Sequence, residues 1–220
     1  MILLYYLLSA IKMDATDSMC LSLNYVDHGL PSGTLWATCN LGVDKPEDSG
    51  YFYAWGETHP KEQYSLKDYK WYSVGSQKYT AYCTDSIYGI VDSATVLKSE
   101  DDAATVILGE EWRIPTREEA EELINECEWR WVSNYYTGAT GNLGTSKRNG
   151  NTIFLPAAGH IYRDALIGQE KSALYQTSSL DKDVPMCAWL LFFTPTTELC
   201  VSFLPRFRGV AIRPVFAPKK

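Results

Sequence analysis

The sequence lacks the local patterns that hold zinc. It has no Cys-x-x-Cys pair and no His-x-x-x-His pair, and its three histidines, His28, His59 and His160, are isolated beside turns. It also lacks any cluster of basic residues: charged residues make up 21% of the 220 positions, and the formal net charge is −7. We therefore expect no nucleic-acid partner, and contact with a membrane that is peripheral at most.

Patterns for catalysis are missing as well. Gly138, Gly141 and Gly144 form a glycine run, but no Lys-Ser or Lys-Thr follows it, so it predicts a flexible loop and not a phosphate-binding one. A nucleophile pair of Cys127 and His160 is disfavoured, because Cys127 falls on the apolar side of a predicted helix and should be buried. We predict no enzymatic activity, no cofactor and no metal.

No apolar run is long enough to cross a bilayer. The longest, residues 1–11, resembles the hydrophobic part of a secretory signal but has no basic residues before it. Three interpretations stay open: a truncated signal peptide, a mis-assigned start inside a longer chain, or a buried first strand. We divide the chain into an apolar segment and linker at 1–24 and a single domain at 25–220.

The six cysteines are too few and too widely spaced for a disulfide-built miniprotein. If residues 188–194 and 199–204 form a hairpin, Cys200 faces position 193, and Cys187 lies roughly 20 Å away along the strand. That separation exceeds the reach of a disulfide. We predict that Cys187 and Cys200 are not bonded to each other.

What the chain does have is a high aromatic content, 13%, with 15 tyrosines and 7 tryptophans, which favours a β-rich fold or an aromatic-lined surface. It also has one clear helix signal. Pro115 ends an extended segment, and Thr116 stands three residues before Glu119, the spacing of a capping box. Apolar residues at helical spacing follow, so we predict a helix at 117–127.

Other patterns complete an α+β order. A second helix is predicted at 99–108, with Asp101 and Asp102 at its N-terminal end. Residues 58–98 form a long, tyrosine-rich insertion. Strands are predicted around Tyr25, Trp36 and residues 51–57, then at 152–158, 175–180, 188–194, 199–204 and 210–216. We predict one α+β domain with antiparallel sheets.

Several blocks of this chain resemble the Fibrobacter succinogenes major paralogous domain family, in the family's order over about residues 25–216. The blocks are Tyr25-Val-Asp-x-Gly-Leu-Pro-Ser-Gly-Thr-Leu-Trp-Ala-Thr-Cys-Asn40, Tyr53-Ala-Trp-Gly-Glu57, Asp101-Asp-Ala-Ala104, Trp112-Arg-Ile-Pro-Thr116, Phe154-Leu-Pro-Ala-Ala-Gly159 and Gly209-x-x-x-Arg-Pro-Val215. The chain departs from the family pattern at His28, where leucine is usual, and at Thr177, where tryptophan is usual.

The resemblance implies a C-type lectin-like fold with two helices, a long loop region and a terminal antiparallel sheet. That fold is shared with formylglycine-generating enzymes and with retroelement-diversified receptors. The family occurs mostly on exported or surface proteins of gut and rumen bacteria, so the chain is expected at the cell surface or outside the cell. The Glu-Pro-Asn, Gln-Pro-Asp and Trp-Asn-Asp tripeptides of calcium-dependent lectins are missing.

The main functional hypothesis is a non-catalytic surface module, with a role such as adhesion, that binds a glycan or a protein. The alternatives are a structural or assembly module of a larger surface protein and, third, an enzyme of the formylglycine-generating type. Arg213 is expected to be buried and paired with Glu57 or Asp102. Eight residues form the candidate ligand site, on the analogy of ligand-contacting positions in related receptors. They are Tyr162, Arg163, Asp164, Tyr175, Gln176, Arg206, Phe207 and Arg208.

Overall fold

The computed structural model describes residues 23–136 and 138–217. The apolar segment at 1–11, Cys20 and most of the predicted linker lie outside the described residues. The described part is a mixed α+β structure in which strands predominate and two α-helices occur, and this confirms the predicted α+β class.

Sixteen strands run through the described residues, and most of them are short. In chain order they are β1 (Tyr25–Val26), β2 (Leu35–Ala37), β3 (Phe52–Tyr53), β4 (Tyr72–Ser73), β5 (Lys78–Tyr79), β6 (Trp112–Arg113), β7 (Cys127–Tyr135), β8 (Ala139–Ser146), β9 (Thr152–Pro156), β10 (His160–Tyr162), β11 (Ala165–Ile167), β12 (Ala173–Leu180), β13 (Cys187–Phe193), β14 (Cys200–Pro205), β15 (Val210–Ala211) and β16 (Val215–Phe216).

The predicted capping box begins helix α2, which spans Arg117–Glu126. The Thr116 hydroxyl accepts the backbone N–H of Glu119 at 3.2 Å, and the Glu119 carboxylate accepts the backbone N–H of Thr116 at 2.9 Å. Two N–H groups that no helical carbonyl can reach are thereby satisfied. Ala120 and Leu123 are buried on the inner face, as predicted.

The other predicted helix is interrupted at Asp102. A 3₁₀ turn at Ser99–Asp101 precedes helix α1, which spans Ala103–Leu108. Asp102 is the N-cap residue, and one of its carboxylate oxygens accepts the backbone N–H groups of Ala104 and Thr105. The other oxygen accepts the N–H of Ile114 at 2.8 Å, so this buried side chain also holds the end of β6 against the helix.

The largest sheet has five strands in the order β14-β13-β12-β15-β3. It differs from the prediction in one respect, because β12 and β15 pair in parallel. The predicted strand at 210–216 is also two strands. β15 belongs to this sheet, whereas β16 lies in a four-stranded sheet of order β1-β2-β16-β6. Pro214, which has no N–H to donate to a ladder, stands between them.

The β13–β14 hairpin forms one residue away from the predicted register. Cys200 pairs with Phe192, and Cys187 pairs with Pro205 at the far end of the hairpin. Both cysteines are free, which confirms that they do not bond to each other. The other described cysteines, Cys39, Cys83 and Cys127, are free and buried.

The glycine run is not a flexible loop, and that prediction is wrong. Gly141 and Gly144 lie inside β8, the middle strand of a three-stranded sheet of order β7-β8-β9. A Cβ on Gly144 would stand 2.7 Å from the Trp129 ring, and one on Gly141 would stand 2.2 Å from the Leu155 carbonyl oxygen. These glycines let large neighbours pack on the strand, which local composition does not reveal.

The long insertion packs onto the body through its tyrosines. Tyr64, Tyr69, Tyr79 and Tyr82 are all nearly fully buried. The Tyr69 hydroxyl donates to the Trp55 carbonyl at 2.6 Å, and the Tyr82 hydroxyl donates to Asp101 at 2.5 Å. Hydroxyl groups that bond inward allow these rings to be buried at little polar cost.

Arg213 is fully buried, as expected, but its partners are not the predicted ones. The guanidinium donates to Asn40 Oδ1 at 2.8 Å and to the carbonyls of Ala37, Thr38 and Phe154. The predicted ion pair with Glu57 or Asp102 is therefore wrong. Neutral acceptors from two chain segments, 37–40 and Phe154, surround this cation, which fixes both segments relative to the Arg213 backbone.

Candidate functional site

The candidate site begins at the β10–β11 hairpin, where Arg163 and Asp164 form the exposed turn. Arg163 has a φ of 60°, in the left-handed region that few non-glycine residues adopt. Its backbone exchanges two hydrogen bonds with Tyr64 of the insertion. The Tyr64 N–H donates to the Arg163 carbonyl at 2.8 Å, and the Arg163 N–H donates to the Tyr64 carbonyl at 3.0 Å. The hairpin is thus fastened to the insertion at its turn.

An open groove of about 380 Å³ lies where the hairpin meets the insertion. We call it the arginine–tyrosine groove. Its lining residues come from both segments and from the turn that follows β14. They are Gln63, Ser65, Leu66, Lys67, Tyr162, Arg163 and Phe207. The sequence singled out the last three of these, and the structure brings them together.

Tyr162, Arg163 and Phe207 form one wall of this groove, and Arg208, which does not line the groove, stacks on the Tyr162 ring. The Arg208 guanidinium carbon lies 3.6 Å from the centroid of the Tyr162 ring, and that of Arg163 lies 5.3 Å from it. The Phe207 ring centroid is 6.3 Å from that of Tyr162. Burial lowers the pKa of Arg208 from its ordinary value of 12.5. Arg163 and Lys67 are the cations of the groove lining, in a chain of net charge −7.

Tyr175 and Gln176 do not reach this surface. Both lie on β12, which is buried along its whole length in the middle of the five-stranded sheet. The Tyr175 hydroxyl donates to the Pro156 carbonyl at 2.7 Å, and burial raises its pKa to about 12. The Gln176 amide donates to the Tyr53 carbonyl at 2.5 Å. In this structure both side chains stabilise the core.

Arg206 is also interior, with 1% of its surface exposed. Its Nη1 donates to the carbonyls of Ala81 and Tyr82, at 3.3 and 2.9 Å, and its guanidinium carbon lies 4.1 Å from the Tyr79 ring centroid. Arg206 therefore holds the insertion to the five-stranded sheet. Its Nε and Nη2 find no partner among the described residues, and neither does Gln176 Oε1. These two residues also line a small cavity of about 20 Å³, the size of one water molecule.

Sequence reasoning missed the wall that the insertion supplies, at residues 63–67. That wall depends on the Tyr64–Arg163 backbone pair, which joins positions far apart in the chain. No local pattern encodes such a pair. The only signal in the sequence was the dense tyrosine content of the insertion, which indicated packing but not where the insertion packs.

The cysteines and histidines of the described residues offer little for catalysis. Burial raises the pKa of Cys127 to about 11 and that of Cys187 to about 11, so both are protonated thiols at neutral pH. Burial lowers the pKa of His28 and of His160. No group of three or more His, Cys, Asp or Glu side chains that could hold a metal ion occurs in the described ranges.

None of the described helices has the length and apolar character needed to cross a membrane. The comparisons add no relative: no protein family, no curated protein and no solved structure matches the chain.

Proposed function

We propose that this chain is a non-catalytic C-type lectin-like module of the cell surface, and that it binds an acidic ligand in the arginine–tyrosine groove. One observation carries the proposal: the Arg208 guanidinium stacks 3.6 Å over Tyr162 while Arg163 stands exposed beside the same ring. Arg208 lies outside the groove lining and steadies the Tyr162 ring, so Arg163 is the arginine that a ligand in the groove would meet.

An acidic segment of a protein suits this groove. Tyrosine and arginine are the residues that most often dominate binding energy at protein interfaces. Leu166 and Ile167 of β11, each 42% exposed, add apolar surface beside the turn. Leu66 adds an apolar side chain to the opposite wall. A peptide with carboxylates and aliphatic side chains would complement both features.

Two other candidates each have an observation in their favour. An acidic glycan is favoured by the open shape of the groove, since its carboxylates could reach Arg163 and Lys67 while a sugar ring lies on Tyr162. A structural module is favoured by the exposed strand β11, which pairs only with β10 among the described residues. Such an edge can add a strand from a neighbouring protein.

The test is a binding titration of the full chain with two labelled probes, an oligoglutamate peptide and oligogalacturonate, with calcium and with chelator. We expect the peptide to bind more tightly than the glycan, calcium to have no effect, and added salt to weaken binding. Replacing Arg163 by Gln should weaken peptide binding by about fivefold or more, because an exposed cation that contacts the ligand is lost.

The matched control is Arg130→Gln, which removes another exposed arginine from strand β7. It should leave binding unchanged. If the oligogalacturonate binds more tightly than the peptide, the ligand class is an acidic glycan and not a protein. If neither probe binds, or if both variants weaken binding equally, the groove has no ligand role and the structural module becomes the better account.

A further inference from the structure

A second cleft, outside the arginine–tyrosine groove, lies between the three-stranded sheet and the loop that joins β13 to β14. Its volume is about 410 Å³, within the range of small-molecule sites. We call it the tryptophan cleft, because its sheet side is formed by Trp129 and Trp131 with Asn142. Thr194 to Leu199 form the opposite side, and Ile124 of α2 contributes one end.

The two indoles are held in fixed positions. They are two residues apart on β7 and so point to the same face of the sheet. Trp129 lies against the bare backbone of Gly144 and donates its Nε1–H to the Ile124 carbonyl at 3.2 Å. The Trp131 ring meets Phe193 edge to face, with 6.0 Å between centroids. The cleft therefore presents preformed, partly exposed aromatic surface.

Asn142 is the polar group at this face of the sheet. It pairs with Trp131 across the β7–β8 ladder, so the two side chains project to the same side. Only 5% of the residue's surface is exposed, and Asn142 lines the cleft. A side-chain amide at the wall of a cleft takes a hydrogen-bond partner from water or from a ligand there. Because Asn142 lines the cleft, that partner would come from whatever occupies it.

The loop side supplies further polar groups and little charge. The Thr194 hydroxyl accepts the backbone N–H groups of Thr196 and Thr197, at 3.2 and 2.9 Å, which shapes the loop. Glu198 is exposed and its carboxylate makes no hydrogen bond or ion pair with a described residue. Among the described residues, no lysine or arginine lines the cleft. A lone carboxylate repels anions, so the cleft and the arginine–tyrosine groove favour ligands of different charge.

We propose that the tryptophan cleft binds a neutral pyranose unit of a carbohydrate. The C–H face of such a ring packs on an indole, as apolar surfaces do. Its hydroxyl groups are both donors and acceptors, which the Asn142 amide and the Glu198 carboxylate require. The site needs no metal, and it does not depend on the groove function proposed above.

The experiment is an NMR titration of the full chain with glucose, galactose, mannose, N-acetylglucosamine and cellobiose, followed through the indole N–H signals. Trp129→Phe and Trp131→Phe assign the two cleft signals among the seven tryptophans. We expect at least one sugar to shift those two signals and leave the other five unchanged. Asn142→Leu should weaken that binding at least about tenfold. The thermal stability of Asn142→Leu should stay close to that of the wild type, because the leucine side chain has nearly the shape of the asparagine side chain.

Glu198→Gln, which preserves shape but changes the carboxylate to an amide, should also weaken sugar binding. Its matched control is Glu128→Gln, an exposed position on β7 of the three-stranded sheet, and this variant should bind sugar like the wild type. Arg163→Gln should not alter sugar binding, so failure of one site is distinguishable from failure of the other. The proposal is overturned if no sugar shifts the two indole signals, or if folded Asn142→Leu protein binds as tightly as the wild type.

Discussion

Arg208 and Arg213 belong to the same short segment and have opposite environments. Arg213 is fully buried and donates four hydrogen bonds to acceptors from two parts of the chain. Arg208 is partly exposed, and its clearest contact is with the Tyr162 ring. The first arrangement stabilises the fold, whereas the second presents charge at a surface.

We therefore expect Arg213→Ala and Arg208→Ala to differ sharply in stability. Arg213→Ala should lower the free energy of unfolding by about 3–5 kcal/mol, because four acceptors, most of them buried, lose their donor and a cavity remains. Arg208→Ala should cost about 1 kcal/mol or less, because it removes a cation–π contact and also a buried Nε that has no hydrogen-bond partner among the described residues. Denaturant unfolding measures both, and similar losses for the two variants would contradict the division between framework and site.

At the level of single residues, the sequence predicted burial better than partners. The position of Arg213 in a motif indicated that it is buried, and it is. Its acceptors are mostly backbone carbonyls, however, and no residue pattern identifies which carbonyls will face a side chain. Among the site candidates, Tyr162, Arg163 and Phe207 line one groove, but Arg206 and Gln176 are interior. An arginine next to an aromatic residue gives the same sequence pattern whether its side chain is exposed or interior.

Among the elements, strand β8 depends most on its glycines. Gly144 lies beneath Trp129, so Gly144→Ala forces the new methyl group against the indole at 2.7 Å. We expect a loss of about 1–3 kcal/mol in unfolding free energy, the usual cost of overpacking. Gly75→Ala is the control, because no atom lies within 4 Å of a Cβ built there. It should change stability by about 0.5 kcal/mol or less. Equal effects would show that Trp129 can move aside.

Elements that are specified by residues close together in the chain were predicted well. The capping box fixed the start of α2 at Thr116, because both halves of that motif are a few residues apart. Strand β8 was missed, because a glycine-rich strand is stabilised by residues of β7 and β9 that pack on it. The strand predicted at 210–216 was divided for a similar reason: its two halves pair with different sheets.

For the whole molecule, stability should fall as the pH decreases through the histidine range. His28 is fully buried, and neither ring nitrogen has a hydrogen-bond partner in the described part of the chain. Burial lowers its pKa, so the folded state holds the ring neutral while the unfolded chain takes up a proton near pH 6.5. Stability is then greatest above pH 6.5 and declines below it. Burial lowers the pKa of His160 in the same direction.

His28→Leu tests this contribution directly, since leucine fills the site and cannot be protonated. Between about pH 7.5 and about pH 5.5, the variant should lose less unfolding free energy than the wild type. Carboxylates titrate alike in both proteins, so the difference isolates His28. Parallel curves would mean that His28 is protonated in the folded state or that the fold opens around it.

The Tyr64–Arg163 backbone pair has a mechanical consequence. It bonds the two walls of the arginine–tyrosine groove to each other at the tip of the hairpin, while Arg206 anchors the insertion from beneath. A force applied to a ligand in the groove would act on both walls at once, because the walls are hydrogen-bonded to each other and cannot move apart independently. The groove would therefore keep its shape under such a force until the two backbone hydrogen bonds at the hairpin tip break.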